Sequence, residues 1–213
     1  MRVTLFLVGF PEVIFENDDF LALNKPAGWF SIPAREPKTE DQVLTEWIKS
    51  THQTDAWVIH RLDRFTSGII LFAKNQKAQR DGNLWFQNRK VKKTYQFLAS
   101  PPPRLPAIQI REPVEGKPAQ TLFEVIQKND YAFFGKATPM TGRFHQIRAH
   151  AAAGGFPLLG DFKYDGKSTL LIKDEVIGFP RFCLHAFELQ LPFGTFRAEL
   201  PEDLTLLKGK IFA

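Results

Sequence analysis

The sequence predicts an α+β fold built around a mixed, largely antiparallel sheet. Three observations predict it. Short apolar runs with period-two alternation outnumber runs with helical spacing, and their order is not a regular βαβα alternation. The chain has 213 residues, 44% hydrophobic and 24% charged, which suits one substantial core or two small ones, and a single domain is expected over residues 1–213. Of its residues 21 are Phe, and most of these are expected in that core.

The elements follow in order. MRVTLFLVGFPEV carries one Arg and a short apolar run closed by Gly9 and Pro11. It lacks a small-residue cleavage site, so it reads as a strand and not as a signal peptide. Residues 13–17 and 20–24 flank Asp18-Asp19 as a hairpin, and Lys25-Pro26-Ala27-Gly28 follows as a turn. Thr39-Glu40-Asp41-Gln42 has the form of a capping box, with Val43, Leu44, Trp47 and Ile48 recurring behind it at helical spacing. Residues 57–59 and 69–73 are apolar and enclose His60-Arg61-Leu62-Asp63-Arg64-Phe65-Thr66-Ser67-Gly68, which reads as strand, tight polar turn, strand. A helix over 76–87 is weakened by Gly82. Residues 93–99 alternate as a strand that stops at Ser100-Pro101-Pro102-Pro103, and 101–118 reads as a long connecting loop. Strands are expected over 121–127 and 131–137, and a helix over 144–153, stopped by Gly154-Gly155. Residues 160–180 look irregular, and 182–191 with 195–200 form a closing hairpin around Pro192-Phe193-Gly194.

A net charge of +5 suits a polyanionic partner. Cys183 is alone in an apolar run and reads as a small buried hydrophobe in a reducing compartment. No stretch approaches the length of a membrane span, so the expected address is the cytoplasm. Walker, GxGxxG and HExxH patterns are missing, and His145 and His150 are five apart, on different faces of a helix. Neither a metal nor a cofactor is expected.

Three constellations carry chemistry, each with a plainer alternative. Asp63 sits between Arg61 and Arg64 on a turn. Flanking cations hold a carboxylate ionised, which makes it a candidate nucleophile; the alternative is a turn residue with surface ion pairs. Arg143, His145, Gln146 and Arg148 crowd the start of a helix, either as phosphate donors or as a solvated first turn. Arg89, Lys90, Lys92 and Lys93 form the densest basic run, as phosphate contacts or as a solvated helix end, and Tyr95 closes that run as core or edge packing.

Taken in order, these pieces resemble the RluA family of pseudouridine synthases. They are LNKPAG at 23–28, HRLDRFTSGIILFAKN at 60–75, KKTY at 92–95, TGRFHQIRAH at 141–150, LGD at 159–161 and LHA at 184–186. Phe144 departs from the pattern, which usually has a small hydroxyl residue there. The N-terminus leads straight into the catalytic region, so no S4-like RNA-binding domain is expected.

The resemblance implies a pseudouridine synthase-like fold with flanking helices and a central cleft. It implies an isomerase that converts uridines of structured ribosomal or transfer RNA to pseudouridine, with no metal and no cofactor; no obligate protein partner is evident in the sequence, and a monomer is the default. The family's aspartate maps to Asp63, its tyrosine to Tyr95 and the arginine that pairs with the aspartate to Arg148. The arginine that fills the stack as the uridine leaves maps to Arg61. Arg64, Arg89, Lys90, Lys92, Lys93, Arg143, His145 and Gln146 are the expected RNA contacts. Two other readings are an RNA-binding protein without turnover and a nucleoside-cleaving glycosylase; the first conflicts with the intact Asp63, Tyr95 and Arg148 set, the second with the lack of a dedicated second acid.

Overall fold

The computed structural model describes residues 9–213. The strand expected at the N-terminus falls largely on residues 1–8 and lies outside the described residues. The first elements are β1 (Glu12–Glu16), β2 (Phe20–Lys25), α1 (Leu44–His52), β3 (Trp57–Val58), β4 (Ser67–Ala73) and α2 (Gln76–Gln87). Then come β5 (Lys92–Ala99), β6 (Ala107–Ile110), β7 (Thr121–Lys128), β8 (Phe133–Pro139) and α3 (Gln146–Ala153). A short 3-10 helix (Phe162–Tyr164), β9 (Thr169–Ile172), β10 (Glu175–Gly178), β11 (Leu184–Leu191), β12 (Gly194–Arg197) and α4 (Glu202–Phe212) complete the chain.

These elements gather into two compact units, one from residues 9–91 and Glu188–Glu199, the other from Lys92–Phe187 and Leu200–Ala213. In the first unit β2 pairs with β1 and with β4, and β3 adds to β4, all antiparallel. β4 is buried along its whole length, as its unbroken apolar run requires. Asn75 caps α2 by accepting a hydrogen bond from the Ala78 N–H at 2.9 Å. Gly82, a weak helix former, is there because a Cβ would stand 2.7 Å from the Ile59 side chain. That close approach seats α2 on the chain just before the His60 turn. Phe15, Phe20, Trp85, Phe193 and Phe196 fill the other side of this core at ring separations of 4.7–5.7 Å.

The second unit is a sheet in the order β5-β8-β7-β6, antiparallel throughout. Alternation along β5 sends Phe97 and Ala99 to one face and Leu98 to the other. α3 covers the first face through Ile147 and Ala151, and α4 covers the second through Leu204, Leu207 and Ile211. Phe97, Phe123, Phe133 and Phe156 close a cycle of edge-to-face contacts at 5.2–5.6 Å. Cys183 is buried here, and burial pushes its thiol up to about 12.

Three expectations change. Thr39 does not cap α1: Val43 holds that position without a side-chain bond, because Phe30 bridges to Val43 in parallel and takes over the entry. The long loop over 101–118 contains β6, which adds an edge to β7. Residues 160–180 contain the 3-10 helix and the β9–β10 hairpin, and α4 follows the closing hairpin. The expected mixed, largely antiparallel sheet is otherwise present.

Candidate active site

Asp63 lies in the first unit, on residues 59–66 between β3 and β4. The turn is wider than the tight one expected, and both neighbours of Asp63 are fastened. Leu62 is buried; its N–H donates to Ser31 Oγ at 3.1 Å, and the Ser31 hydroxyl donates back to the Leu62 carbonyl at 3.0 Å. On the other side, the Arg64 carbonyl accepts from the Gly28 N–H and from Lys25 Nζ, each at 2.9 Å. The Lys25 ammonium is fully buried and also donates to the Pro26 and Trp29 carbonyls at 3.0 and 2.9 Å. A buried ammonium is tolerable only when its donors are met, and here three carbonyls meet them. His60 secures the start of the turn. Its ring stacks on Phe86 at 4.7 Å, and its Nε2 accepts from the Leu71 N–H at 3.0 Å, which fixes that nitrogen as unprotonated.

Arg61 is exposed and Asp63 half-buried. Arg64, beside it in the chain, takes several partners within the first unit. Its Nε donates to the Gly28 carbonyl at 3.0 Å, its guanidinium covers the Phe30 ring at 4.5 Å, and it faces Asp41 at 3.8 Å. A carbonyl, a ring face and a carboxylate converge on one fork, so Arg64 is a clamp between the Asp63 turn and the 25–28 turn.

Tyr95 and Arg148 belong to the second unit. Lys93, Tyr95 and Phe97 alternate along β5, and half-buried Tyr95 packs on the cluster that holds Ile147 of α3. Arg148, one residue on, is buried and forms a two-pronged pair with Asp161: Nε to Oδ2 at 2.7 Å and Nη2 to Oδ1 at 2.8 Å. Its guanidinium lies 4.1 Å from the Phe182 ring centre and 5.2 Å from that of Tyr164. Asp161 was not singled out from sequence, although LGD at 159–161 was visible. Gly160 makes its position possible: φ is +79° there, and a Cβ would stand 2.1 Å from the Arg181 carbonyl.

Gln146 was expected at phosphate. Its amide is engaged inside the protein instead: Nε2 donates to the Gln120 carbonyl and Thr121 Oγ1, while Oε1 accepts from the Thr141 hydroxyl and the Arg143 N–H. It fastens the loop over 141–145. His150 is likewise satisfied, between Thr121 Oγ1 and the Glu112 carbonyl, each at 2.8 Å. Arg143, Arg89, Lys90 and Lys92 are exposed; Arg89 and Lys90 lie in the link after α2, and Lys92 and Lys93 open β5.

Lys93 points inward, and Nζ donates to the Thr141 carbonyl at 3.1 Å. Burial lowers its pKa from 10.5 to about 8. The unfolded chain therefore binds more protons than the folded one between pH 8 and 10.5, so this group's contribution to stability rises with pH across that window. Below pH 8 the full cost stands, on the order of 3 kcal/mol. An NMR titration of the Lys93 Cε–Hε signals is expected to show a midpoint near pH 8; a midpoint at the ordinary lysine value would refute the burial argument.

The sequence profile of the family described as RNA pseudouridylate synthase matches residues 19–153. The dual-specificity RNA pseudouridine synthase RluA of Vibrio vulnificus (strain CMCP6) is 34% identical over 200 residues, covering 84% of this chain and 76% of that protein. The protein of the same name from Escherichia coli (strain K12) is 34% identical over 193 residues, covering 82% and 83%. Among solved structures, the human RNA pseudouridylate synthase domain containing 4 superposes with a TM-score of 0.75 at 21% identity, covering 93% of this chain and 92% of that one. The human domain containing 1 gives 0.70 at 23% identity, covering 92% and 84%. These two share the fold.

Proposed function

The chain belongs to the RNA pseudouridylate synthase family, and we propose that it isomerises particular uridines of ribosomal or transfer RNA, with Asp63 acting at the ribose of a flipped-out nucleotide. The observation that carries this reading is the construction of the Asp63 turn. A carboxylate whose two neighbours are tied to Ser31, Gly28 and Lys25 is held for chemistry rather than left as a surface turn residue.

In the reaction the C1′–N1 bond breaks, the base turns, and a C1′–C5 bond forms. The C5 proton leaves and N1 gains one, so nothing is oxidised. Charge of the oxocarbenium kind develops on the sugar, and Asp63 answers it by attack at C1′ or by taking the C2′ proton. Tyr95 holds the base and receives the C5 proton. Arg148 pairs with Asp63 and keeps it charged while water is excluded. Arg61 fills the gap left by the uridine, an extrusion that costs a few kcal/mol. Arg89, Lys90, Lys92 and Arg143 serve the flanking phosphates, with Arg64 and Lys93 holding the neighbouring turns and His145 and Gln146 shaping the loop that presents Arg143. The two units work as one catalytic domain, in the cytoplasm, without a protein partner.

The test is RNA carrying tritium at uridine C5. The protein is expected to release tritium with RNA length unchanged and no free uracil. Binding is expected to weaken steeply as salt rises from 50 to 200 mM, by roughly 10³-fold if about six phosphates are neutralised. Free uracil would show a glycosylase, and tight binding without tritium release would show a binder.

A further inference from the structure

A group of rings in the second unit, with Phe144 and Phe162 exposed and His145 and Tyr164 half-buried, lies outside the roles assigned to Asp63, Tyr95 and Arg61. Phe144 is 44% exposed, and its ring lies flat on that of His145, with centroids 3.7 Å apart and planes 23° apart. His145 holds this pose from a left-handed backbone, φ 54°, an uncommon conformation for a side chain of its size. Its Nδ1 lies 3.3 Å from the Tyr164 hydroxyl, and its ring meets Tyr164 edge-on. Lys163 Nζ stands 5.6 Å from both the Phe144 and Tyr164 ring centres. The Arg148 guanidinium lies 5.2 Å from the Tyr164 ring centre. Phe162, on the same 3-10 helix, is 68% exposed.

Rigid aromatic faces kept in water beside a cation match the chemistry of an unpaired nucleotide, whose base stacks and whose phosphate takes the ammonium. Apolar packing against a protein would not call for an ammonium within reach of both rings. In the resemblance drawn above, Phe144 is the position that departs from the family pattern. We propose that Phe144, backed by His145 and flanked by Lys163, is a stacking platform for an unpaired base beside the target uridine, and so reads the sequence context of the site. This rests on the synthase reading, and Tyr164 links the platform to Arg148.

The test uses the full chain and two readouts. One is the quenching of 2-aminopurine in a single-stranded heptanucleotide, UUU-2-aminopurine-UUU, which reports stacking without turnover. The other is KM against kcat for tritium release. Phe144→Ala is expected to raise both the heptanucleotide Kd and KM about tenfold, the loss of one base–aromatic stack, with kcat within about twofold. Phe144→Trp is expected to restore both. Lys163→Ala should weaken binding with a shallower salt response, as one phosphate contact is lost. Unchanged Kd and KM in Phe144→Ala, with a circular dichroism spectrum like the wild type, would overturn the platform and leave the synthase reading standing. Absent tritium release from the wild type would overturn the synthase reading, while the quenching measurement still decides whether Phe144 stacks on a base.

Discussion

Asp63→Asn is expected to remove tritium release altogether, by at least about a thousandfold, while RNA binding stays within about twofold of the wild type. The amide keeps the shape of the side chain, and the hydrogen bonds that fasten the turn through the backbone of Leu62 and Arg64 are untouched. What it loses is the negative charge that answers the developing sugar cation, an interaction made only in the transition state. The result should appear in kcat with little change in KM. Turnover near the wild-type rate would end the assignment of Asp63. Substrate deuterated at C2′ separates its two roles: a primary isotope effect assigns proton removal, and none assigns attack at C1′.

The second large effect is expected at Asp161. Asp161→Asn removes the carboxylate charge that holds Nε and Nη2 of the buried Arg148 guanidinium. Stranding one member of such a pair costs about 3–5 kcal/mol. For a chain of this length that lowers the unfolding midpoint by on the order of 10 °C. Turnover is expected to fall with it, since Arg148 would no longer be held between Phe182 and Tyr164. Arg148→Met in the Asp161→Asn background should recover part of the stability and none of the activity, because the stranded charge is removed but not replaced. A midpoint within about 1 °C of the wild type, or turnover preserved in Asp161→Asn, would show that the pair does not set Arg148.

Local pattern made much of the fold legible. The helix expected over 76–87 is the one observed, and the strands at 13–17, 20–24, 93–99 and 121–127 sit within two residues of their bounds. Each rests on a period that the chain carries within itself. The missed elements have weaker local signals. β6 is a four-residue edge strand in a proline-rich stretch, and it exists because β7 offers it a ladder. The Thr39 cap failed because a nonlocal bridge from Phe30 claimed the entry to α1.

The candidate site divides in the same way. Asp63, Tyr95 and Arg148 were named from motif order alone, and the family they indicate is the one whose profile matches residues 19–153. Residue types and spacing therefore determined the family, the fold class and the chemistry to expect. Only the tertiary structure decided which partner each charge takes. It turned Arg64 onto Gly28, Phe30 and Asp41, buried Lys25 among three carbonyls, led Lys93 to the Thr141 carbonyl and set Asp161 against Nε and Nη2 of Arg148. The reason is physical: a period of two or 3.6 residues is written along the chain, whereas the desolvation and pairing of a charge depend on groups that meet only after the chain has closed on itself.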